Sequence, residues 1–392
     1  YDTSAVTSWK LIKGYEPVFS ATRGWPRTCQ FAQQRLFFGG SRDLPNRIWG
    51  SRVGDYNNFL NIGSYDNDAL DYEALTNGAI VSMAYQRNLH IFCSGDEFTV
   101  PEDSLTPNTF RLIKTGDNGS IPAVNPVIFE NSVLFIEKKG KSIYNYQYDE
   151  SGGGFIAVNV SMFSELGGTP KDFVIEKNSV KDKGDYLFVL LDSGEMIVQC
   201  INLQHNINAA CKYKTNGDIL GVCALGEDVY MAVRRNGNIF IEKVFDNDVD
   251  FARDVQIVDG QITNLHDYAE KIALVSQNGK DIESFVDEDG NCTPKGLTDG
   301  NATIGLPFEY VLESNPIHIN GLGFSVRKRI NKIQVVCQDT PELNLNGQRK
   351  TNKDVYDFCA VTGYTKDCRY KITGKSKKCR ILSVLCDISY EG

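Results

Sequence analysis

Short apolar runs recur along the chain, each turning back on itself at a glycine. Leu89–Cys93 leads through Ser94-Gly95-Asp96 into Glu97–Val100, and Val133–Ile136 leads through Lys139-Gly140-Lys141 into Ile143–Tyr146. Tyr186–Leu191 runs into Asp192-Ser193-Gly194, Val229–Val233 into Asn236-Gly237 and Ile239–Ile241, and Ile272–Val275 into Asn278-Gly279. Asn-Gly between β-rich runs is a strong hairpin signal, because both turn positions favour positive φ. The pattern predicts β-hairpins throughout. No long amphipathic helical stretch interrupts them.

The turns are spaced like a repeat. An earlier hairpin is expected at Gly39-Gly40, and Gly40, Gly95, Gly140, Gly194, Gly237 and Gly279 lie 55, 45, 54, 43 and 42 residues apart. A period near 40–50 residues built from hairpins is that of β-propeller blades, small sheets whose apolar faces pack on their neighbours. The expected fold is therefore all-β: a β-propeller-like body of about six blades over residues 15–305, after a lead-in at 1–14. Five or seven blades remain open, as does a β-sandwich or a two-domain β protein with coincidental spacing, since no Trp-Asp blade signature recurs. Beyond Gly305 the texture changes. Leu306-Pro307-Phe308-Glu309-Tyr310 opens a segment with strands expected near 330–336 and 381–388. Residues 306–392 read as a smaller, basic C-terminal β domain.

Composition supports this reading. The 392 residues include 35 Gly, 21 Phe and 18 Tyr, a turn-rich and aromatic mixture. Eleven Cys, an odd number in a chain of this length, read as free thiols rather than a disulfide scaffold. No apolar run approaches the ~20 residues of a membrane-spanning helix, and no leader pattern opens the chain. The first residue is Tyr1 rather than Met, which reads as a processed chain or a piece of a longer product. Charge is unevenly placed. Residues 321–392 hold 14 Lys+Arg against 7 Asp+Glu, a net of +7; the remainder holds 27 against 43, a net of −16; together they give −9. An acidic body with a basic end suits one charged interface rather than general nucleic-acid binding.

No catalytic pattern fits. His90, His205, His266 and His318 lack metal spacing, and no Cys-x-x-Cys pair exists. Gly140-Lys141-Ser142 and Gly374-Lys375-Ser376 resemble the end of a phosphate loop, but Phe135 and Arg369 stand where its first glycine belongs. Asp246, Asp248 and Asp250 alternate like a calcium loop, yet Phe251 replaces its glycine and Ile257 its bidentate Glu. Gly-x-Ser-x-Gly is absent. Asp66/Asp68 and Asp287/Asp289 sit in turn-like surroundings and read as Asx-turns. The expectation is a non-enzyme with no cofactor and no metal.

One ordered stretch carries more information. It holds Gly24-Trp25-Pro26, then Phe31, Gln34, Arg35, Leu36 and Gly39, then Pro45, Trp49, Ser51, Asp55, Tyr56 and Phe59, followed by Asp66 and Asp68. This series resembles the tail nozzle family of short-tailed bacteriophages, the tail tubular proteins called B and the packaged-DNA stabilization proteins. The likeness is good over 14–100 and loose to about 245. Physically, Gly24-Trp25-Pro26 reads as a rigid corner with an apolar anchor. Gln34 and Arg35 read as donors to backbone carbonyls or a neighbouring loop. Leu36 to Phe38 reads as a buried strand, and Trp49, Tyr56 and Phe59 as seals at blade edges or as a subunit-docking face.

The resemblance implies a structural virion protein. Its place would be the virion tail, assembled in the host cytoplasm as a homo-hexameric ring against the adaptor and other tail proteins. Genomic double-stranded DNA would pass through it non-specifically and be retained until ejection. Candidates for contact with DNA or a neighbouring subunit are Arg327, Lys328 and Arg329 and, in a second cluster, Lys375, Lys377 and Lys378. An acidic wall would let DNA slide, because duplex DNA carries a charge every ~1.7 Å of axis and a basic lumen would grip it. The alternative is a β-propeller receptor-binding or glycan-hydrolysing tail protein.

Overall fold

The computed structural model describes residues 18–391 except 61–64, 77, 102–104, 123, 163, 178–184, 203–204, 206, 245–248, 320, 322–324, 352–353, 360 and 376–378. The protein is all-β. Among the described residues the one helical element is a 3-10 turn at His266–Tyr268.

Six sheets follow one another through the body. The first is Thr28–Ala32, Arg35–Gly39, Arg47–Gly50 and Leu70–Glu73; the second Ile80–Tyr85, Leu89–Cys93, Glu97–Val100 and Ile113–Gly116. The third is Val127–Phe129, Ser132–Ile136, Ile143–Asp149 and Gly154–Asn159; the fourth Pro170–Glu176, Asp185–Leu191, Met196–Asn202 and Ile207–Tyr213. Each of these four is an antiparallel meander in chain order. The fifth has three strands, Asp218–Leu225, Asp228–Arg235 and Asn238–Lys243. The sixth places Gly300–Leu306 between Asp250–Ile257 and Ile272–Gln277, with Lys280–Phe285 outermost. Consecutive small meanders of this kind make the body β-propeller-like, and the sheet count matches the six-fold repeat of the turns.

The chain divides into two compact units, 1–214 with 219–232, and 215–218 with 233–392. Within the first unit, sheets meet through their leading strands. Thr28–Ala32 packs on Ile80–Tyr85 and Val127–Phe129 on Pro170–Glu176, while the outer strands Ile113–Gly116 and Gly154–Asn159 also touch. Burial on both faces explains why these strands lack polar alternation: Leu89–Cys93 and Ser132–Ile136 are buried at every position. Phe37, Ile48 and Leu70 of the first sheet share a core with Ile80, Ile91 and Phe98 of the second. Leu134 and Ile143 of the third share one with Leu187 and Val189 of the fourth.

The Asn-Gly turns form as their sequence dictates. Asn236 and Gly237 have φ of 47° and 84°, and Asn278 and Gly279 50° and 76°. The expected turn at Gly39-Gly40 needs correction. The tight hairpin lies at Gln33-Gln34, with φ of 42° and 59°, flanked by the pair Ala32↔Arg35. Gly39 instead ends a strand, and its missing side chain serves packing: a Cβ there would lie 2.4 Å from Met83 Cε.

After Leu306 the strands pair only with one another among the described residues. One sheet is Glu309–Glu313, Lys371–Lys375, Glu342–Leu345 and Gln348–Thr351; the other is Val355–Cys359, Lys328–Gln338 and Arg380–Tyr390. Ile330, Ile333 and Val335 of one sheet pack on Leu343, Leu345 and Ile372 of the other. This is a small β-sandwich. The strands expected near 330–336 and 381–388 emerge as two 11-residue strands, paired along their length with two bulges.

Candidate functional site

The ordered N-terminal residues converge on one buried side chain. Arg35 opens the strand after the Gln33-Gln34 turn, and its inward position leaves it 1% exposed. Nη1 donates to the carbonyls of Ser51 and Asp68, each at 2.6 Å, and Nη2 to the carbonyl of Asp66 at 2.5 Å. A planar guanidinium suits this task, since its donors diverge in a fixed fork. Ser51 Oγ accepts the Leu36 N–H at 2.9 Å, and Ser51 N–H donates to the Leu36 carbonyl at 2.9 Å. Desolvation lowers the Arg35 pKa, partly offset by Asp68 and Asp66. Arg35 thus fastens a hairpin to the loop that crosses its end.

Other members of the series make contacts of their own in and beside the first sheet. Gln34 acts through its backbone, its carbonyl accepting the Gly54 N–H at 2.9 Å, while its side chain is exposed. Asp55 lies in the tight turn that pairs with Arg52. Tyr56 meets Phe31 edge-to-face at 5.1 Å, Phe59 stacks on Phe38 at 5.3 Å, and buried Trp49 meets Phe19 edge-to-face at 4.8 Å. The Pro45 carbonyl accepts the Ile80 N–H at 2.7 Å, joining the first sheet to the second. Gly24 makes paired backbone hydrogen bonds with Ser20, and Pro26 is half-buried. Trp25 corrects the expectation of an apolar anchor. It is 66% exposed, because it sits in the irregular stretch before the first strand rather than at an inward strand position.

The basic candidates have different surroundings. Arg327 is exposed, donating to the Tyr364 carbonyl at 3.2 Å and lying 3.8 Å from Glu391. Lys328 does not present its charge. It is 1% exposed, its Nζ donating to the Val326 carbonyl at 3.3 Å, because alternation along Lys328–Gln338 turns it inward with Ile330. It is therefore removed from the contact set. Arg329 faces the other way, half-buried. Lys375 pairs with Glu283 at 2.9 Å. Lys377 and Lys378 lie outside the described residues, as do Asp246 and Asp248 of the calcium-like series.

The sequence does not announce the burial of three polar residues. Arg235, 1% exposed, pairs with Glu242 at 2.7 Å and Asp250 at 2.8 Å, donates to Thr215 Oγ1 at 2.5 Å, and lies 4.6 Å from the Phe251 ring centroid. Burial opposes its charge, but the bonds to Glu242 and Asp250 win and raise its pKa. Glu97 is fully buried and accepts the Gly119 N–H at 2.6 Å; desolvation raises its pKa against that bond. His90 is held among Tyr146 and Phe155, with centroids at 5.1 and 4.7 Å, and burial lowers its pKa to about 4. Hairpin patterning gave no signal for these residues, because their partners lie on turns and other strands.

Chemically, Arg35 spends its Nη donors on carbonyls, while the Ser51 hydroxyl accepts the Leu36 N–H and the Asp68 carboxylate accepts the Tyr65 N–H at 3.0 Å. Among the described residues, no three His, Cys, Asp or Glu lie close enough to hold a metal. All eleven cysteines are free thiols. No described helix is long and apolar enough to cross a membrane.

No protein-family model matches the chain, and no curated protein does. Solved structures similar to it include the WD40 domain of SCAP from fission yeast, at 8% identity and TM-score 0.32, covering 88% of this chain and 85% of that one. A protein from Lactobacillus plantarum matches at 12% and 0.37, covering 70% and 84%. The BBS1N chain of a complex with ARL6DN matches at 9% and 0.33, covering 70% and 94%. Likeness this distant transfers no activity or partner, so the propeller-like description of the body rests on its own sheet order.

Proposed function

We propose that this protein is a structural component of a short-tailed phage tail, the nozzle through which the genome leaves the particle and which helps retain it until ejection. The observation that carries the reading is the ordered residue series from Gly24 to Asp68, which resembles that family. Its members Arg35, Ser51, Asp66 and Asp68 form one clamp. A guanidinium bonded to three carbonyls fixes the course of the loop that carries them. In this reading the chain forms a homo-hexameric ring with head-to-tail interfaces, so two different faces of one subunit are complementary. The +7 segment and the −16 remainder offer such a pair. Exposed Arg327 and Lys375 are its described contact candidates, and the acidic wall lets duplex DNA slide.

A map of the virion that contains this chain tests the proposal. A six-fold ring between adaptor and tail tip is expected. A position at a fibre tip, or a chain that never approaches the channel axis, overturns it. Binding of free duplex should be weak and salt-sensitive. Nanomolar, sequence-dependent binding at physiological salt contradicts the conduit role.

A further inference from the structure

Three connections at one end of the second and third sheets surround a cavity of about 750 Å³. The turn carrying Arg87 and Asn88 joins the first two strands of the second sheet; the turn carrying Glu130 joins the first two of the third; the loop carrying Glu150 joins the last two of the third. All lie within one compact unit. The volume is in the range of small-molecule sites, roughly 300–1,000 Å³.

The wall has two kinds of surface. Tyr148 and Phe155, directly opposed on paired strands, meet edge-to-face with centroids 5.3 Å apart. Phe155 is fixed from below, stacked on Tyr146 at 5.3 Å and touching His90 at 4.7 Å. Tyr148 is 53% exposed, so aromatic surface faces solvent beside Phe155. Apart from Pro101, the remaining wall consists of residues with hydrogen-bonding groups, among them carboxylates at Glu130 and Glu150, a guanidinium at Arg87 and an amide at Asn88.

Both carboxylates sit on constrained backbone. Glu130 has a φ of +48°, a conformation uncommon for any residue but glycine, Asn or Asp. The loop of Glu150 is pinned by Asp149, whose carboxylate accepts the N–H groups of Ser151 and Gly152, each at 3.1 Å, and the Ser151 hydroxyl at 2.7 Å. Pre-set polar groups beside a fixed aromatic surface reduce the ordering cost of binding.

We propose that this cavity binds a neutral oligosaccharide. A sugar ring presents apolar C–H faces to an aromatic side chain and a rim of hydroxyls that both donate and accept. Carboxylates, amides and a guanidinium together meet both needs. Two carboxylates against one guanidinium disfavour an anionic ligand. The inference does not rest on the tail assignment. Sugar binding is read on the full chain in solution, whereas that assignment is decided in the particle.

The test is titration of the full chain with cellohexaose, maltohexaose, N-acetylchitohexaose and, as an anionic comparison, a heparin hexasaccharide, followed by saturation-transfer NMR. At least one neutral hexasaccharide is expected to bind saturably with a Kd below about 1 mM. Tyr148→Ala and, separately, Glu150→Ala should weaken it by about tenfold or more, equivalent to about 1.4 kcal/mol. Both residues are exposed, and circular dichroism would verify that each variant folds. Absence of saturable binding by all three neutral sugars, tighter binding of heparin, or unchanged affinity in Tyr148→Ala would each overturn the proposal.

Discussion

Two buried arginines, one in each compact unit, solve the same problem by opposite means. Arg35 and Arg235 are each 1% exposed. Arg35 is satisfied by backbone carbonyls of Ser51, Asp66 and Asp68. Arg235 is satisfied by the carboxylates of Glu242 and Asp250 and by the Phe251 ring. Burial lowers the pKa of the first, while hydrogen-bonded carboxylates overcome burial and raise that of the second. The difference shows what each holds. Backbone partners cannot be mutated away, so Arg35 fixes the path of a loop. Side-chain partners can be replaced as a set, so Arg235 fixes a cluster within its own unit.

The largest effect is therefore expected at Arg35. Arg35→Met removes the guanidinium donors of three carbonyls, two of them in buried bonds and that of Asp66 in a part-buried one, at about 1–3 kcal/mol for each buried group left unsatisfied. A loss of about 5 kcal/mol is expected in urea unfolding. Arg35→Lys should recover little, because one ammonium cannot reproduce the fork. Recovery by Lys to within about 1 kcal/mol of the parent would show that charge, not fork geometry, secures the loop.

Arg235→Met should cost about 4 kcal/mol, since removing one partner of a buried ion pair strands the other. Asp250 keeps Thr215 Oγ1 at 2.6 Å and the Asn216 N–H at 2.8 Å, so Glu242 is the stranded group. Adding Glu242→Leu to Arg235→Met should restore at least half of the loss. A double-mutant cycle reads this directly. Strictly additive losses would break the contrast with Arg35.

These nodes also mark where sequence reading stopped. Strand period and Asn-Gly turns announce the hairpins, because both are local: Asn236-Gly237 and Asn278-Gly279 have the positive φ their chemistry favours. The Gln33-Gln34 turn was missed because glutamine carries no turn preference and two nearby glycines drew the assignment. Arg35 stood out within its series, but its carbonyl partners lie 16 to 33 residues away and have no side-chain signature. Asp250 was weighed as a calcium ligand. Its partner Arg235 comes from the preceding sheet, a pairing that no spacing rule encodes. The burial of Lys328 followed from strand phase, whereas a Lys/Arg cluster in sequence suggests a surface.

His90 sharpens the comparison as a buried group that remains uncharged. Among the described residues its Nδ1 has no hydrogen-bond partner, and its pKa falls from 6.5 to about 4 through burial. The folded value is the lower one, so the unfolded chain binds the proton more tightly. The associated stability is fully present above about pH 6.5 and is lost as pH falls towards 4. That difference is worth about 3 kcal/mol. His90→Phe fills the same aromatic cluster without a titrating nitrogen. Its stability relative to the parent should rise by about 3 kcal/mol between pH 7.5 and pH 4, measured by urea unfolding at each pH. A constant difference across that range would mean that His90 accepts a proton in the folded protein without cost.

The smallest effect on folding is expected where the charge is neither buried nor forked. Lys375 and Glu283 lie 2.9 Å apart, both about half exposed, so water screens them and side-chain entropy opposes the pair. Lys375→Ala should change stability by less than about 1 kcal/mol, and that change should vanish in 1 M salt. Assembly is a separate readout. If the basic segment meets an acidic face of a neighbouring subunit, reversing Lys375 to Glu introduces like-charge contact at every interface of a ring. A defect too small to see in one chain is then repeated around it. Lys375→Glu should therefore fold normally yet reduce the yield of assembled particles, counted by electron microscopy of infected-cell lysates. Normal particle yield, with normal folding, would remove charge pairing at this face from the account of assembly.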